Sequence, residues 1–246
     1  RRQEPGELLV YLGKKVLNIN TSSQKKFSLK NKTVLITAGP TFEAIDPIRG
    51  ITNKSSGKLG YAIAEISKNA GANVIVVSGP VSINPFNSVK VEKVESADQM
   101  LKKVKKIIKE EKVDIFFSVA AVSDWKPKIY SKDKIKKSTH NCLNEIQWEQ
   151  TKDILYEIAS IKNNTRPFVV GFAAETVTDN LLVEACQKKM KEKKIDMIVG
   201  TNGPKTFGKD NASMVVCSPD ESKVEIKGSK KQIAAKLILL IQRKLV

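Results

Sequence analysis

From Lys32 onward, short runs of β-branched and apolar residues alternate with amphipathic segments, and this alternation restricts the fold more than any other feature of the chain. Thr33–Thr37, Asn73–Ser78 and Val113–Val119 each read as a strand buried on both faces, because a strand with helices on both sides has no polar face to display. Between the first two, residues 57–69 read as a helix. Leu59, Ile63, Ile66 and Ala70 recur there at spacings of four, three and four, which puts them on one face, and Gly71 supplies a stop. A shorter strand follows at Val89–Val94, and Ser96 with Gln99 forms a capping-box signature for a Lys-rich helix through Glu111. Strand–helix–strand repetition of this kind predicts an α/β fold with a doubly wound, mostly parallel sheet and helices on both faces.

Beyond Ala120 the rhythm breaks. Residues 122–150 are polar, Lys-rich and too long for a plain connection, and segments of that kind are often functional. Regularity then returns with a helix at Thr151–Ile161, a strand at Phe168–Phe172, a helix at Asp179–Lys193 and a strand at Ile195–Thr201. A C-terminal β-hairpin is expected at Ser213–Lys227, turning through Pro219-Asp220-Glu221-Ser222. The last helix is capped by Ser229 and Gln232 and carries Ile233, Leu237, Leu240 and Ile241 on its inner face. At the other end, Glu4-Pro5-Gly6-Glu7 followed by Leu8, Leu9, Leu12 and Val16 predicts a short amphipathic helix, and Asn18–Asn31 has the polarity of a linker. The chain therefore divides into residues 1–31 and a domain spanning 32–246.

A formal charge of +17 raises the possibility of a nucleic-acid-binding module. Only five of the 43 basic residues are arginine, however, and the lysines are spread over nearly every segment. Arginine is the usual reader of phosphates and guanine edges, so solvated surface lysines are the better account. Cys142, Cys186 and Cys217 cannot all pair and show no CxxC spacing, which argues for reduced thiols and against a zinc site. The longest apolar runs, Val74–Val77 and Leu237–Ile241, fall far short of the ~20 residues of a membrane span. These features lead us to expect a cytoplasmic protein without a membrane partner.

Chemistry is expected where the first strand meets the first helix. The strand ends in Thr37-Ala38-Gly39-Pro40-Thr41, and the helix is preceded by Asn53-Lys54-Ser55-Ser56-Gly57. In a doubly wound sheet, strand carboxyl ends and adjoining helix N-termini form a crevice whose free N–H groups attract anions. Ser55, Ser56 and Gly57 suit phosphate binding, although Gly39 and Gly57 can equally serve only to turn the chain. Neither the dinucleotide GxGxxG spacing nor the GxxxxGK[ST] spacing is present. A nicotinamide-dependent oxidoreductase of the same fold class is therefore a weaker alternative, since the second strand also lacks a terminal acidic residue.

The run Ile36-Thr37-Ala38-Gly39-Pro40-Thr41-Phe42-Glu43-Ala44-Ile45-Asp46-Pro47-Ile48-Arg49, continued by Asn53-Lys54-Ser55-Ser56-Gly57-Lys58-Leu59-Gly60, closely resembles the signature of bacterial phosphopantothenoylcysteine synthetases. Further matches follow in the same order: Ser78-Gly79-Pro80-Val81, Ala120-Ala121-Val122-Ser123-Asp124-Trp125, Lys134-Ile135-Lys136-Lys137 and Val170-Gly171-Phe172-Ala173-Ala174-Glu175-Thr176. The resemblance implies a Rossmann-like ligase that uses CTP and Mg²⁺ to turn 4′-phosphopantothenate into an acyl-cytidylate, then couples it to L-cysteine. It further implies a homodimer, and an FMN-dependent decarboxylase domain fused ahead of residue 1. Arg1, Glu4 and Pro5, or Arg2 in a shifted register, match that domain's closing Arg-x-x-Glu-Pro.

Carried over residue by residue, the resemblance makes Asn53 a donor to the acyl oxygen and Arg49 a partner for a carboxylate or phosphate. It makes Lys134, the first lysine of a Lys-x-Lys-Lys motif, a counter-charge for the triphosphate. Ser118, Val119, Ala120 and Asp124 are implied to contact CTP, as are Lys152, Asp153, Ile154 and Leu155. In this last group the usual Asn-Pro-Asp-Ile-Val reads Thr-Lys-Asp-Ile-Leu, so a side-chain role for Lys152 is in doubt, while Thr151 can cap the helix. Phe172 is implied to pack on the base or ribose, and Lys189 and Lys193 to meet the triphosphate. Gly39, Ser55, Ser56 and Gly57 complete the phosphate-binding set. No protein metal ligands are expected, because Mg²⁺ accompanying a triphosphate is held mainly by phosphate and water. Neither His140 nor any other residue stands out as a general base.

Overall fold

A computed structural model describes residues 7–12, 15–20, 28–83, 89–136, 145–206, 209–220 and 222–245. An eight-stranded sheet forms the centre. Its strands are β3 (Thr33–Ala38), β6 (Asn73–Ser78), β7 (Lys90–Lys93), β8 (Ile115–Ser118), β11 (Phe168–Glu175), β12 (Met197–Asn202), β13 (Asn211–Cys217) and β14 (Lys223–Ser229). They lie in the order β14-β13-β12-β11-β8-β3-β6-β7. The six strands from β12 to β7 are parallel, and the C-terminal hairpin β13–β14 adds an antiparallel edge. The chain proceeds from β3 to β6 and β7 on one side, then returns to place β8 on the other. That reversal between β3 and β8 is where a doubly wound sheet opens a ligand crevice.

Two apolar layers sandwich the sheet. One joins Ile36, Val76 and Phe117 to α1 (Lys58–Asn69) and α6 (Lys230–Lys244). The other joins Leu35, Val77 and Phe116 to α2 (Ala97–Glu110), α3 (Ile154–Ala159) and α4 (Asp179–Lys193). Phe116 and Phe117 are fully buried on opposite faces, each contributing about 2–3 kcal/mol by leaving water. Both expected capping boxes form, Ser96 with Gln99 and Ser229 with Gln232. Helix α1 buries more than the single stripe read from its spacing: Tyr61, Ala62, Ala64 and Ser67 are buried as well. The physical reason is α6, which packs along the side of α1 that would otherwise face solvent.

Three segments depart from expectation. The segment expected as an N-terminal helix contains strands β1 (Glu7–Leu12) and β2 (Lys15–Asn20), paired antiparallel with Leu12 opposite Lys15. Val10, Tyr11, Val16 and Ile19 favour strands, and the two intervening residues begin with Gly13, a hairpin signal in the sequence. Second, the stretch read as a connection between β3 and α1 contains a small hairpin, β4 (Phe42–Ala44) with β5 (Gly50–Thr52). Third, the long polar segment contains a strand pair, β9 (Trp125–Pro127) with β10 (Trp148–Gln150). A short helix, α5 (Gly203–Thr206), follows β12. Leu29, in the segment read as linker, is buried in the core, and its N–H donates to the carbonyl of Ala70 at 2.8 Å.

Cys186 and Cys217 are buried free thiols. Cys142 and His140, together with Arg1, Arg2, Glu4 and Pro5, lie outside the described residues. Among the described residues no helix is long and apolar enough to cross a membrane.

Candidate functional site

A cleft of about 500 Å³ opens at the carboxyl ends of β3 and β8. Its near wall is the turn between β3 and α1. Gly39 and Gly57 both have φ of +75°, and a Cβ on either would approach Val81 Cγ1 to 2.7 and 2.9 Å. The two glycines therefore serve close packing as well as chain reversal, and the packing brings the Ser55-Ser56-Gly57 loop onto the strand ends. Helix α1 has no side-chain cap. Ser55 Oγ accepts from Gly57 N at 3.4 Å and Ser56 Oγ from Lys58 N at 3.5 Å, both long for such bonds. A helix start with weakly satisfied N–H groups and a partial positive charge, opening into a cleft, suits an anion.

Asn53 stands at the mouth of this wall. Its Nδ2 donates to the carbonyls of Ala121 (3.2 Å) and Val122 (2.9 Å), tying the loop before α1 to the loop after β8. Both donors of the amide are used in this arrangement, so donation to an acyl oxygen requires one of these bonds to be exchanged.

The floor is formed by Ser118, Val119, Ala120 and Phe172, at and just beyond the end of β8 and along β11. The far wall comes from α3 and α4: Lys152, Asp153, Ile154, Leu155, Lys189 and Lys193 all line the cleft, and Asp124 stands exposed at its rim. The expected cap of α3 is corrected here. Asp153, not Thr151, accepts from Tyr156 N at 3.0 Å. Thr151 instead uses its Oγ1 to donate to the carbonyl of Ser123 at 2.6 Å, anchoring the end of β10. Lys193 pairs with Asp153 at 2.5 Å and Lys189 with Glu175 at 3.1 Å. The two ion pairs hold both ammonium groups at the cleft wall.

Two expected residues do not line the cleft: Arg49 and Lys134. Arg49 ends the β4–β5 turn, where Nε and Nη2 grip Asp46 Oδ2 at 3.0 and 2.5 Å while Nη2 also donates to the carbonyl of Ile135 at 2.7 Å. Asp46 is buried and accepts further bonds from the backbone N–H of Ile48, Arg49 and Ile135. The Arg49 guanidinium, then these N–H groups, hold its carboxyl well below the usual carboxylate range against the opposing effect of burial. Arg49 is thus a clamp on the Lys-rich segment, which Ser131 N also ties to Ile45 O at 3.0 Å. Lys134, next to the clamped Ile135, is exposed on that segment.

Lys58, Lys230 and Thr206 line the cleft without having been singled out from the sequence. Lys58 adjoins the Ser-Ser-Gly loop, which was a signal. Lys230 carried none, because nothing local shows that the start of α6 lies beside the start of α1. Among the described residues no group of three or more His, Cys, Asp or Glu side chains is gathered to hold a metal. Asp124 at the rim is compatible with Mg²⁺ that arrives on phosphates and keeps water ligands.

A doubly wound sheet with a cleft at its switch point, opened to weakly satisfied helix N–H groups, has the geometry with which α/β domains hold anionic ligands. Residues 29–245 match the model of one family, the DNA/pantothenate metabolism flavoprotein C-terminal domain, and the chain belongs to that family. It is 39% identical over 219 residues to the coenzyme A biosynthesis bifunctional protein CoaBC of Vibrio vulnificus, covering 87% of this chain and 53% of that protein. The protein of the same name from Bacillus subtilis is 38% identical over 231 residues, with 92% and 53% covered. The crystal structure of the C-terminal domain of a coenzyme A biosynthesis bifunctional protein CoaBC superposes with a TM-score of 0.74 at 37% identity, covering 89% of this chain and 98% of that one. The chain spans about half the length of the curated relatives it matches.

Proposed function

We propose that this chain is the ligase part of a coenzyme A biosynthesis protein, joining 4′-phosphopantothenate to L-cysteine at the expense of CTP. In the first step a carboxylate oxygen of phosphopantothenate bonds to the α-phosphorus of CTP, and the bond to the departing pyrophosphate breaks. In the second, the cysteine amine bonds to the acyl carbon, the bond to the phosphate oxygen breaks, CMP leaves, and the amine gives up a proton. The observation that carries this reading is the convergence of the Ser55-Ser56-Gly57 loop and uncapped α1 with Ser118–Ala120, Lys189 and Lys193 on one cleft. Family membership supports it.

The residues divide the work. The α1 start and Ser55–Gly57 supply donors for phosphoryl oxygens, and the strand-end backbone of Ser118–Ala120 reads the base edge beside Phe172. Lys189 and Lys193 exchange their carboxylates for the triphosphate, and Asp124 lies at the rim beside it, where it would hold a water ligand of Mg²⁺ carried in on the phosphates. Asn53 trades one carbonyl for the acyl oxygen as charge grows on it during amine attack. Lys134, on the segment clamped by Arg49, reaches the triphosphate only when that segment closes over the cleft, which also keeps water from the mixed anhydride. The test is release of pyrophosphate from CTP on addition of 4′-phosphopantothenate, followed by CMP and amide on addition of cysteine. Absence of CTP-dependent turnover from folded protein contradicts the reading.

We also propose that the chain works as a homodimer. Ile48, Trp125, Ile129, Tyr130 and Trp148 are all 41–75% exposed on the β4–β5 turn and the β9–β10 arm, an apolar surface that a second copy can cover. Light scattering is expected to give twice the chain mass, and Trp148→Lys to shift it toward one. A monomeric native protein refutes this.

A further inference from the structure

Cys186 and Cys217 belong to different elements, α4 and β13, and are buried in the same apolar layer. Gly200 on β12 brings them together. A Cβ there would stand 2.3 Å from Cys186 Sγ, so the missing side chain lets the sulphur of a helical residue drop onto the sheet. Leu182 Cδ1 and Val215 Cγ1 close in on the same spot, each 3.2 Å from that Cβ. In the β12–β13 ladder Val215 faces Gly200 and Cys217 faces Ile198. The two-residue period of a strand therefore turns Val215 and Cys217 to one side, the side that α4 covers. There the two thiols share a hydrogen bond.

The pair is unequal in a way that suits dithiol chemistry. The hydrogen bond from Cys186 lowers the Cys217 thiol against the opposing effect of burial, and the ammonium of Lys223, directly across the β13–β14 ladder, adds to that lowering. Cys186 is pushed up by the same bond and by burial, and it also feels the charges of Glu175 and Lys189, which pair on the cleft wall. One sulphur is thus disposed to attack and the other to resolve. A second cavity, of about 610 Å³, is lined by Leu182, Val215 and Lys223, so it reaches the side chains that crowd over Gly200 beside the thiols.

We propose that Cys186 and Cys217 are a redox-sensitive dithiol, which hydrogen peroxide converts to a disulfide that joins α4 to β13 and displaces the lysines of the cleft wall. The Cys217 thiolate bonds to one peroxide oxygen as the O–O bond breaks, leaving a sulfenic acid, and the proton lost from Cys217 completes the first water. The Cys186 sulphur then bonds to Cys217 Sγ, the S–O bond breaks, and the Cys186 proton leaves with that oxygen as a second water. The two thiols supply the two electrons that reduce the peroxide. Bond formation shortens the sulphur separation from contact to about 2.05 Å, which draws α4 toward the antiparallel edge of the sheet. Lys189 and Lys193 follow Cys186 by three and seven residues on that helix and line the cleft, so they move with it. The effect on turnover rests on the ligase reading above, whereas the bridge itself does not.

Peroxide treatment of the full chain tests the proposal, with peptide mapping under non-reducing conditions and the rate of pyrophosphate release from CTP and 4′-phosphopantothenate as readouts. Cysteine is omitted so that it cannot reduce the bridge. A Cys186–Cys217 cross-linked peptide is expected, with pyrophosphate release slowed about 10-fold or more, the scale of a small displacement of binding groups, and restored by dithiothreitol. Cys186→Ala and Cys217→Ala should keep their rates through the same treatment, and Cys142→Ser should respond as the wild type does. Absence of the cross-link, equal loss in the alanine variants, or loss that follows Cys142 overturns the dithiol. A bridge formed with an unchanged rate overturns its coupling to the cleft. Thermal melting checks folding, and if Cys217→Ala melts early, Cys186→Ala carries the comparison, while the wild-type peptide map needs neither. Reduced wild type that forms the bridge on oxidation yet never releases pyrophosphate defeats the ligase reading and leaves the dithiol standing.

Discussion

The far wall of the cleft and the arm beside it both supply residues expected to meet CTP, but they are held in place by different means. On the wall, Asp153, Lys189 and Lys193 ride on α3 and α4, whose apolar faces are sealed into the core through Ile158, Cys186 and Met190. On the arm, Lys134 sits in irregular chain tied to the domain by the buried carboxylate of Asp46, with its partners Arg49 and Ile135 N, and by Ser131 N, which donates to the carbonyl of Ile45. The wall is fixed by apolar packing into the core, whereas the arm is fixed at its base by polar contacts. A site that must admit two substrates and then exclude water has use for both.

The largest expected effect comes from breaking the rigid part. Gly79 stands where a Cβ would come within 1.7 Å of the carbonyl oxygen of Pro40, so the β6 end and the β3–β4 turn cannot both stay in place beside a larger residue. Gly79→Ala is expected to cost about 3 kcal/mol in chemical denaturation and to abolish turnover. Asp46→Asn attacks the arm instead. It should lower kcat/KM about 10²-fold, the scale of a small misplacement of a catalytic group, with the far-UV spectrum unchanged. Both tryptophans of the protein, Trp125 and Trp148, lie on the β9–β10 pair, so their fluorescence should report release of the arm.

The clamp also predicts a pH response. The folded-state pKa of Asp46 is depressed, so its contribution is complete above its ordinary value of 3.8 and is lost as pH falls below that. Wild-type tryptophan emission is therefore expected to hold steady down to about pH 4, and an arm released already near pH 6 would refute the clamp. Lys134→Gln should raise the KM for CTP about 10-fold, as expected for one exposed counter-charge, with the thermal midpoint unchanged. A stability loss without a KM effect would make Lys134 structural. The smallest effect is the control: Ser96→Ala removes the α2 cap, on the sheet face that carries the wall but away from the cleft. It should cost about 1 kcal/mol and leave turnover per folded molecule unaltered.

The same contrast explains what could be read from the chain without coordinates. Strand β6 and helix α4 appear at the bounds their sequence suggested, because apolar patterning is a local signal. The residues of the far wall reached the cleft for the same reason: once α3 and α4 are placed on the sheet, Asp153, Lys189 and Lys193 have little freedom. Arg49 and Lys134 were expected in the cleft by resemblance, and their placement depends on Asp46 contacting a backbone N–H 89 residues away, which no local pattern reveals. Thr151 and Asp153 are both good caps, and the choice fell to Asp153 because Thr151 Oγ1 is engaged by Ser123. That Lys58 and Lys230 share the cleft was hidden because α1 and α6 are brought together only by the finished fold.

The most direct test of the central claim is pyrophosphate release measured with CTP, 4′-phosphopantothenate and cysteine on wild-type protein and on Asn53→Ala. The wild type is predicted to release one pyrophosphate and one CMP per amide formed. Asn53→Ala should still release pyrophosphate but accumulate the acyl-cytidylate, with amide formation slowed about 10²-fold or more. Wild-type protein that is folded and binds CTP yet releases no pyrophosphate would contradict the account, and normal amide formation by Asn53→Ala would remove Asn53 from it.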